Sequence, residues 1–287
     1  MLDCSGRRSD VPSPVIDTHC HLTFPELRDH LPDVLARARA QGVHGCITIS
    51  TTTSDCLDAL AIAERFDNVW CSSGVHPLYS DEQPHVWDNL ARVAASARCV
   101  AWGELGLDNH YETPAAALQR RVLDEQLAFI ESCRRGREGR APIDKPVILH
   151  CREAFDDLIP VLRATTLDPA RFVFHCFTAG MREMRLLLDF GAMVSFTGVA
   201  TYRNAAEVRE AVRLVPADRL MIETDAPFLS PEPHRSSRPC EPWMVSLTLR
   251  SLAQTRGVSF ESLHEQVNRN TARFFGVEAI ETGPALH

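Results

Sequence analysis

The chain has 287 residues, of which 45% are hydrophobic and 24% are charged. A chain of this length can bury about three quarters of its unfolded surface, and because no break in composition or internal repeat divides it, we expect a single domain. The formal net charge of −8 excludes a protein that covers duplex DNA with a broad basic face. Any contact with a nucleic acid is therefore expected to be local.

The two ends of the chain and its cysteines indicate the compartment. Residues 1–13 contain no apolar leader run and are expected to be a flexible N-terminus, while residues 277–287 are expected to be a C-terminal tail. No uncharged apolar run reaches membrane-spanning length, and the ten cysteines include no Cys-x-x-Cys pair. We therefore expect a reduced, cytoplasmic protein without membrane contact.

Short β-rich runs alternate with helical patterns from residue 14 to residue 276. The first and fourth helical patterns are the clearest, since apolar residues recur on one face; these faces consist of Leu27, Leu31, Val34, Leu35 and Ala38, and of Leu118, Val122, Leu123, Leu127 and Ile130. The predicted strands are Val15–Asp17, Gly45–Ile49, Val69–Ser72, Val100–Gly103, Pro146–His150, Phe172–His175, Ala192–Phe196 and Leu220–Glu223.

A strand followed by a helix eight times predicts an α/β fold, a single (β/α)8 TIM barrel over residues 14–276. Phe260–Phe275 is then an extra C-terminal helix. An open doubly wound sheet is the alternative, but the glycine-rich phosphate loops that favour it are missing from the sequence.

Polar residues that can bind metal or act in catalysis gather after the predicted strands. The carboxyl ends of all strands of such a barrel meet at one mouth, where active sites are found. Residues far apart in sequence are therefore expected to converge there; they are Asp17, His19, His21, His76, Glu104, His150, His175, Glu223 and Asp225.

Four imidazoles and two carboxylates in this set are enough to bind two divalent ions. His19 and His21 are two residues apart, so both point to one side of an extended chain; alone, such a pair is equally consistent with two polar residues at a strand end. A histidine after strands five and six, and a carboxylate after strands four and eight, favour metal binding. The predicted metal ligands are His19, His21, Glu104, His150, His175 and Asp225, with Glu104 as the bridge.

Two neighbouring ions favour hydrolysis, because together they polarise a phosphoryl oxygen and lower the pKa of a water molecule. Asp225 is the predicted base that takes the proton from this water, and Glu223, two residues away, is expected to support it. The predicted catalytic residues are thus Asp225, Glu223 and Glu104.

Neither the lysine nor the cysteines are expected to bind metal. Lys145 is the only lysine and precedes strand five, which is the wrong end of a barrel for the carboxylated-lysine bridge of many similar hydrolases. Cys20, Cys151 and Cys176 each adjoin a predicted histidine ligand but point the opposite way, so we expect them to be buried against the helix layer.

Two arginines near the predicted mouth have two possible roles. Arg152 follows His150, and Arg235 lies in the loop after strand eight. A guanidinium matches the geometry of phosphate oxygens, so both residues are candidates for binding substrate phosphate. The alternative is a salt bridge at the rim of the barrel.

The ordered motifs of the chain resemble those of the TatD family of metal-dependent deoxyribonucleases, from about Val15 to Gly276. The matching motifs are Asp17-Thr18-His19-Cys20-His21, Gly74-Val75-His76-Pro77, Gly103-Glu104-Leu105-Gly106-Leu107-Asp108, His150-Cys151-Arg152-Glu153-Ala154, His175-Cys176-Phe177-Thr178, Glu223-Thr224-Asp225-Ala226-Pro227 and Asn270-Thr271-Ala272-Arg273-Phe274-Phe275-Gly276.

The resemblance implies hydrolysis of phosphodiester bonds in DNA, the same six metal ligands, and magnesium, manganese or zinc as the two ions. It further implies trimming of single strands from the 3′ end, as in some family members. His76 and Asp108, which lie in family motifs, are expected to help hold phosphate or a water near the metals. The expected partner is DNA as substrate, bound by a monomer or small homo-oligomer.

The sequence departs from the family at two places. Cys240 stands where many relatives have asparagine, which bears on the choice of substrate. An insertion rich in glycine and arginine, Arg134–Arg140, lengthens the link before strand five at the far face of the barrel, where it is expected to affect stability or partners more than catalysis.

Two other functions are compatible with the same residues. One is hydrolysis of an amide, a lactone or an aminoacyl-tRNA ester, because fold and metals do not fix the substrate. The other is a protein that holds metal without catalysis, which the complete set of expected ligands argues against.

Overall fold

The computed structural model describes residues 14–137 and 139–278. Its centre is a sheet of eight strands in which each strand pairs in parallel with the next, in the order β1 to β8. The strands are β1 Val15–Cys20, β2 Val43–Thr48, β3 Val69–Ser73, β4 Cys99–Asp108, β5 Val147–Arg152, β6 Phe172–Phe174, β7 Met193–Phe196 and β8 Leu220–Ile222.

The sheet curls into a nearly closed barrel, because β1 meets the segment that follows β8. The Thr18 hydroxyl donates to the carbonyl of Ile222 at 2.8 Å, the backbone N–H of Asp225 donates to His19 O at 2.9 Å, and that of His21 to Ala226 O at 2.7 Å. These bonds confirm the predicted (β/α)8 barrel and make the open doubly wound sheet wrong.

Within residues 14–137 and 139–278, ten α-helices cover the strands. The apolar residues predicted on the first face are all buried, but they belong to two helices, with Pro32 in the first turn of the second; proline favours such a position because it lacks an N–H group. The helices are α1 Pro25–Arg28, α2 Leu31–Ala40, α3 Asp55–Arg65, α4 Trp87–Ala94, α5 Ala116–Arg134, α6 Phe155–Arg163, α7 Met181–Phe190, α8 Ala206–Leu214, α9 Val245–Arg256 and α10 Phe260–Phe275. In the described ranges, none of them has the length and apolar character needed to cross a bilayer.

Two hydrophobic clusters hold the layers together. The larger lies between the strands and the helices, and the smaller fills the inside of the barrel with residues such as Ile16, Ile148 and Met221. The end of α10 belongs to the smaller cluster through Phe274 and Phe275, which close the barrel at the amino-terminal ends of its strands. The extra C-terminal helix predicted from the sequence therefore plugs the face opposite the mouth.

The predicted terminal segments lie mostly outside the described residues, which omit 1–13 and 279–287. Val277, assigned to the tail from the sequence, is 6% exposed and packs with the smaller cluster. Val277 thus packs with the barrel, although the sequence assigns it to the tail.

Strand β4 is longer than the sequence predicts. It continues past Gly103 to Asp108, so Glu104 lies within the strand rather than at its end. Gly106 allows this extension, since its φ of +151° is rarely adopted by other residues and a Cβ there would collide with the carbonyl oxygen of His150 on β5.

The cysteines and the lysine lie mainly as predicted. All cysteines in the described ranges are free. Cys20 packs in the larger cluster as predicted, whereas Cys151 is only partly buried against that cluster and also lines the mouth cavity. Cys176 is an exception: its backbone, with φ of +47°, turns it toward the mouth cavity, so its predicted burial against the helices is wrong. Lys145 donates to the carbonyl of Cys99, at the start of β4, and thus lies far from the mouth.

Replacement of Gly106 by alanine is predicted to destabilise the barrel. The added Cβ brings both an unfavourable φ and the collision with His150, so the free energy of unfolding should fall by about 2–4 kcal/mol. Gly257→Ala is the matched control: Gly257 also has a positive φ, +66°, but no atom within 4 Å of its added Cβ. Urea unfolding should show a clearly larger loss for Gly106→Ala, and equal losses would contradict the proposed close approach.

Candidate metal centre

The six predicted ligands converge at the mouth of the barrel around the carboxylate of Glu104. Its side chain is 1% exposed. One oxygen, Oε1, lies 2.8 Å from His150 Nδ1 and 2.5 Å from His175 Nε2, while the other, Oε2, lies 3.3 Å from His19 Nε2. The two oxygens therefore face different histidines.

Asp225 completes the half of the centre that contains His19 and His21. Its Oδ1 lies 3.5 Å from His19 Nε2 and 3.3 Å from His21 Nε2. Its backbone has a φ of +60°, a conformation that costs free energy outside glycine and tends to persist where function requires it. The centre thus has one half with His19, His21 and Asp225 and another with His150 and His175.

Buried atoms in this cluster have the character of metal ligands. His19 Nε2 and Glu104 Oε2 have no hydrogen-bond partner in the described ranges, although they are deeply buried. A buried polar atom without a partner is costly, and a divalent cation between a neutral imidazole and a carboxylate would satisfy both. The donor set of imidazoles and carboxylates therefore fits a divalent metal.

Electrostatics give the four ligand histidines and Glu104 different tendencies to carry a charge. Burial lowers the pKa of His19, with help from neighbouring His175, and so favours the neutral ring. Burial opposes ionisation of Glu104, but the attraction of His175, His76 and His19 outweighs it and holds the pKa of Glu104 well below its usual range. Burial also opposes a charge on His21, His150 and His175, but the neighbouring carboxylates outweigh it and raise the pKa of each of these rings. A metal ion that binds there would therefore displace protons from these three rings.

Two further carboxylates contact the ring nitrogens of His150 and His175 that face away from Glu104. Asp108 Oδ2 lies 2.9 Å from His150 Nε2, and Glu223 Oε1 lies 3.4 Å from His175 Nδ1 while accepting from the Cys176 N–H at 2.6 Å. Each carboxylate holds the ring nitrogen that faces away from Glu104, which orients the other nitrogen toward it.

His76 presents an N–H group to the same site. Its Nδ1 accepts a hydrogen bond from the backbone N–H of Leu78 at 3.0 Å, so in the neutral ring the proton lies on Nε2. Nε2 is 3.5 Å from Glu104 Oε1. Since burial lowers the pKa of His76 to about 3, the ring is a neutral donor and, in this tautomer, a poor metal ligand.

Asp17 has a part that the sequence analysis did not assign. It is fully buried and accepts from the backbone N–H of Thr224 at 2.9 Å and from the Thr224 hydroxyl at 2.5 Å; burial raises its pKa to about 8. Asp17 therefore positions the segment that carries Asp225. The signal was its spacing, two residues before His19 on the same side of β1.

A cavity of about 490 Å³ opens above the cluster, and His150, His175 and Asp225 are part of its wall. Arg152 lines it and lies 5.2 Å over the ring of Tyr111. Arg235 lies outside its lining, 4.1 Å over the ring of Tyr202. Neither arginine pairs with a carboxylate in the described ranges, so the structure does not have the predicted alternative of a rim salt bridge.

Cys240 does not reach this cavity. Its side chain is fully buried, with Sγ 3.7 Å from Met244 Sδ, and its backbone N–H donates to Pro227 O at 2.9 Å. The loop turns the thiol into the core, so any bearing of this departure on the choice of substrate would be indirect and stays a prediction.

Comparisons with known proteins agree on one family. The model of the family described as TatD related DNase matches residues 16–276. The chain is 38% identical over 268 residues to the uncharacterized metal-dependent hydrolase YcfH of Escherichia coli K12, covering 92% of this chain and 97% of that one. It is 35% identical over 269 residues to the 3′-5′ ssDNA/RNA exonuclease TatD of Pantoea ananatis, covering 92% and 100%.

A solved structure has a similar fold. The crystal structure of YJJV, a TatD homologue from Escherichia coli K12, superposes with a TM-score of 0.83 and 29% identity, covering 91% of this chain and 98% of that one.

Asp108→Asn is predicted to weaken metal binding without unfolding the protein. The amide no longer carries the charge that orients and polarises His150, so affinity for the ion at His150 and His175 should fall about 10–100-fold. Asp156→Asn is the matched control, because Asp156 is exposed and pairs with Arg182. Calorimetric titration with Mn²⁺ checks this, and an affinity equal to that of the control would show that Asp108 has no such part.

Proposed function

Because the chain belongs to the TatD-related DNase family, we propose that its cluster binds two divalent ions and hydrolyses phosphodiester bonds of unpaired DNA strands from the 3′ end. The membership confirms the family and the class of enzyme predicted from the sequence, a metal-dependent hydrolase that acts on DNA. The number of ions, the roles of the residues and the polarity of cleavage are proposals.

The observation that carries the proposal is the position of Glu104. Its Oε2 faces His19, which forms one candidate metal-binding group with His21, and its Oε1 faces His150 and His175, which is the arrangement a bridging carboxylate needs. In the proposed assignment, one ion is held by His19, His21, Asp225 and Glu104, and the other by His150, His175 and Glu104. Four imidazoles favour zinc over magnesium or manganese, which prefer oxygen ligands.

When bound, such ions supply the positive charge that lowers the pKa of a water molecule and stabilises the developing charge on phosphate. Asp225 is the proposed base, because it is the one carboxylate of the two ligand groups that lines the cavity; the side chain of Glu104 is shut off by its histidines. Glu223 acts behind His175 rather than on Asp225, since its contacts are to His175 and Cys176.

Three side chains contact the substrate strand in this proposal, and two of them lie close enough to the metal centre to bind the phosphate there. The Nε2–H group of His76 points into the centre and can donate to a phosphoryl oxygen without changing protonation. Arg152 lines the cavity and keeps its guanidinium free of carboxylates, so it can bind the same phosphate or its neighbour. Arg235 lies further out and is assigned to the strand beyond the cavity. Asp108, being an anion held by His150, positions that ligand and does not bind phosphate.

Unpaired strands are the proposed substrate for two reasons. The relative from Pantoea ananatis is named for 3′-5′ exonuclease activity on single-stranded DNA and RNA. In addition, a net charge of −8 leaves no broad basic surface for a duplex, whereas a local cavity with one arginine can accept the end of a strand.

Metal-loaded protein is predicted to shorten a 5′-labelled single strand stepwise and to leave a blunt duplex largely intact. The Glu104→Ala, Asp225→Ala double variant should lose activity by about 100-fold or more, because it lacks both the bridge and the base. Gel analysis with Mg²⁺, Mn²⁺ and Zn²⁺ in turn checks this. Equal cleavage by the double variant would identify a contaminant, and turnover of aminoacyl-tRNA esters with DNA intact would overturn the proposal in favour of an ester hydrolase.

Metal is also predicted to stabilise the fold. An ion present at 100 times its dissociation constant adds about 2.7 kcal/mol per site to the free energy of unfolding, so the thermal midpoint of metal-free protein should rise by about 5 °C or more on addition of Mn²⁺ or Zn²⁺. Glu104→Ala should abolish most of this rise. A titration that saturates at one ion per chain would contradict the two-metal assignment.

A further inference from the structure

Two exposed aromatic rings stand at the mouth of the barrel. Among the described residues, six large hydrophobic side chains are exposed, and two of these are aromatic: Tyr111, 49% exposed, and Phe228, 45% exposed. Both line the cavity above the ligand cluster. Exposed aromatic surface is costly in water, so its confinement to this cavity points to a ligand with flat apolar faces.

Phe228 is fixed next to one half of the metal centre. Its backbone N–H donates to the carbonyl of Asp225 at 2.9 Å, which closes a tight turn. Its ring packs edge-on against Phe24, with centroids 5.9 Å apart and planes at 84°, and Phe24 in turn stacks on His21 at 4.9 Å. The position of the Phe228 ring is thus tied to two proposed ligands.

Tyr111 is fixed next to the other half. Its backbone N–H donates to Asp108 Oδ1 at 3.3 Å, and Asp108 holds His150. The guanidinium of Arg152 lies over its ring. An aromatic ring and a free cation are therefore presented together, as in sites that bind a base and the adjoining phosphate.

The barrel places these two rings across the mouth from each other. Tyr111 follows β4 and Phe228 follows β8, and strands four places apart in an eight-stranded barrel are on opposite sides. A phosphate held at the metal centre would therefore have one ring on either side of it.

We propose that Phe228 and Tyr111 stack on the bases that flank the scissile phosphate, one base on each ring, and that this contact selects unpaired strands. The inference rests on the proposed nuclease function and names the residues that set its substrate. A base within a duplex has both faces covered by its neighbours, whereas an unpaired base offers a face to a ring. Because every base has such a face, the selection is independent of sequence.

The test uses binding as well as cleavage. The probe is a short single strand with 2-aminopurine, whose fluorescence is quenched by stacking, at one of its last two nucleotides and a phosphorothioate at the 3′-terminal linkage to slow cleavage. Manganese-loaded wild type should quench the probe. Phe228→Ala and Tyr111→Ala should each weaken binding about tenfold. One variant should lose the quench when 2-aminopurine is the last nucleotide, and the other variant should lose it when 2-aminopurine is the nucleotide before the last. Phe228→Trp should retain both the binding of the probe and the quenching of its fluorescence.

Controls separate stacking from misfolding. Val258→Ala removes an equally exposed side chain, 44%, that follows α9 at the far face of the barrel, and it should match wild type. Phe228→Leu keeps apolar bulk without a ring face and should still lose the quench. Thermal midpoints and bound manganese of all variants should stay close to wild type.

The outcomes distinguish this inference from the proposed function. Binding and quench within twofold of wild type in both alanine variants, or no binding of the probe by wild type, would overturn base stacking. Unaltered cleavage of an unmodified strand by the variants would then leave the nuclease function standing. The converse result has two parts: the wild type quenches the probe and Phe228→Ala does not, yet the wild type cleaves no DNA with any ion. That result would support the stacking surface and reject the nuclease function.

Discussion

The mouth of this barrel depends on one buried negative charge, the carboxylate of Glu104. Taking an ionised carboxylate out of water is expensive unless cations or hydrogen-bond donors surround it. The four nearest side chains are histidines, and three of them are assigned as metal ligands. The charge of Glu104 therefore depends on the histidines that surround it, and the ions proposed above would add positive charge at the same place.

The orientations of the histidine side chains are set by hydrogen-bonding and ionic contacts with neighbouring residues. Asp108 and Glu223 hold the rear nitrogens of His150 and His175, and Leu78 holds His76. Asp17 fastens the segment after β8 to β1. Apart from the contact between Leu78 and His76, these contacts join elements that are distant in sequence, so the folding of the barrel also orders the candidate metal centre.

The sequence predicts the barrel and the convergence of the six proposed ligands, for a physical reason. His150 and His175 directly follow short apolar runs typical of buried strands, His19 lies in the segment that begins with Val15 and Ile16, and the carboxyl ends of parallel strands share one edge. The contacts that orient the histidine rings could not be predicted from the sequence, because they depend on the direction in which each ring nitrogen faces in the folded structure. The extension of β4 depends on the close approach of Gly106 to β5, and the turn at Cys176 depends on an unusual backbone conformation. Neither feature produces a periodic pattern of apolar residues, so the sequence does not predict them. The exposure of Phe228 and Tyr111 likewise appears only once the loops are folded.

The position of Lys145 has a practical consequence. It is the only lysine of the chain, and its amine bonds to the carbonyl of Cys99 at the amino-terminal end of the strands, on the side of the barrel away from the cavity. Every cation placed near the substrate is an arginine, which amine-directed reagents leave unmodified. A dye or a solid support coupled through the lysine side chain would thus hold the molecule with its entrance facing outward.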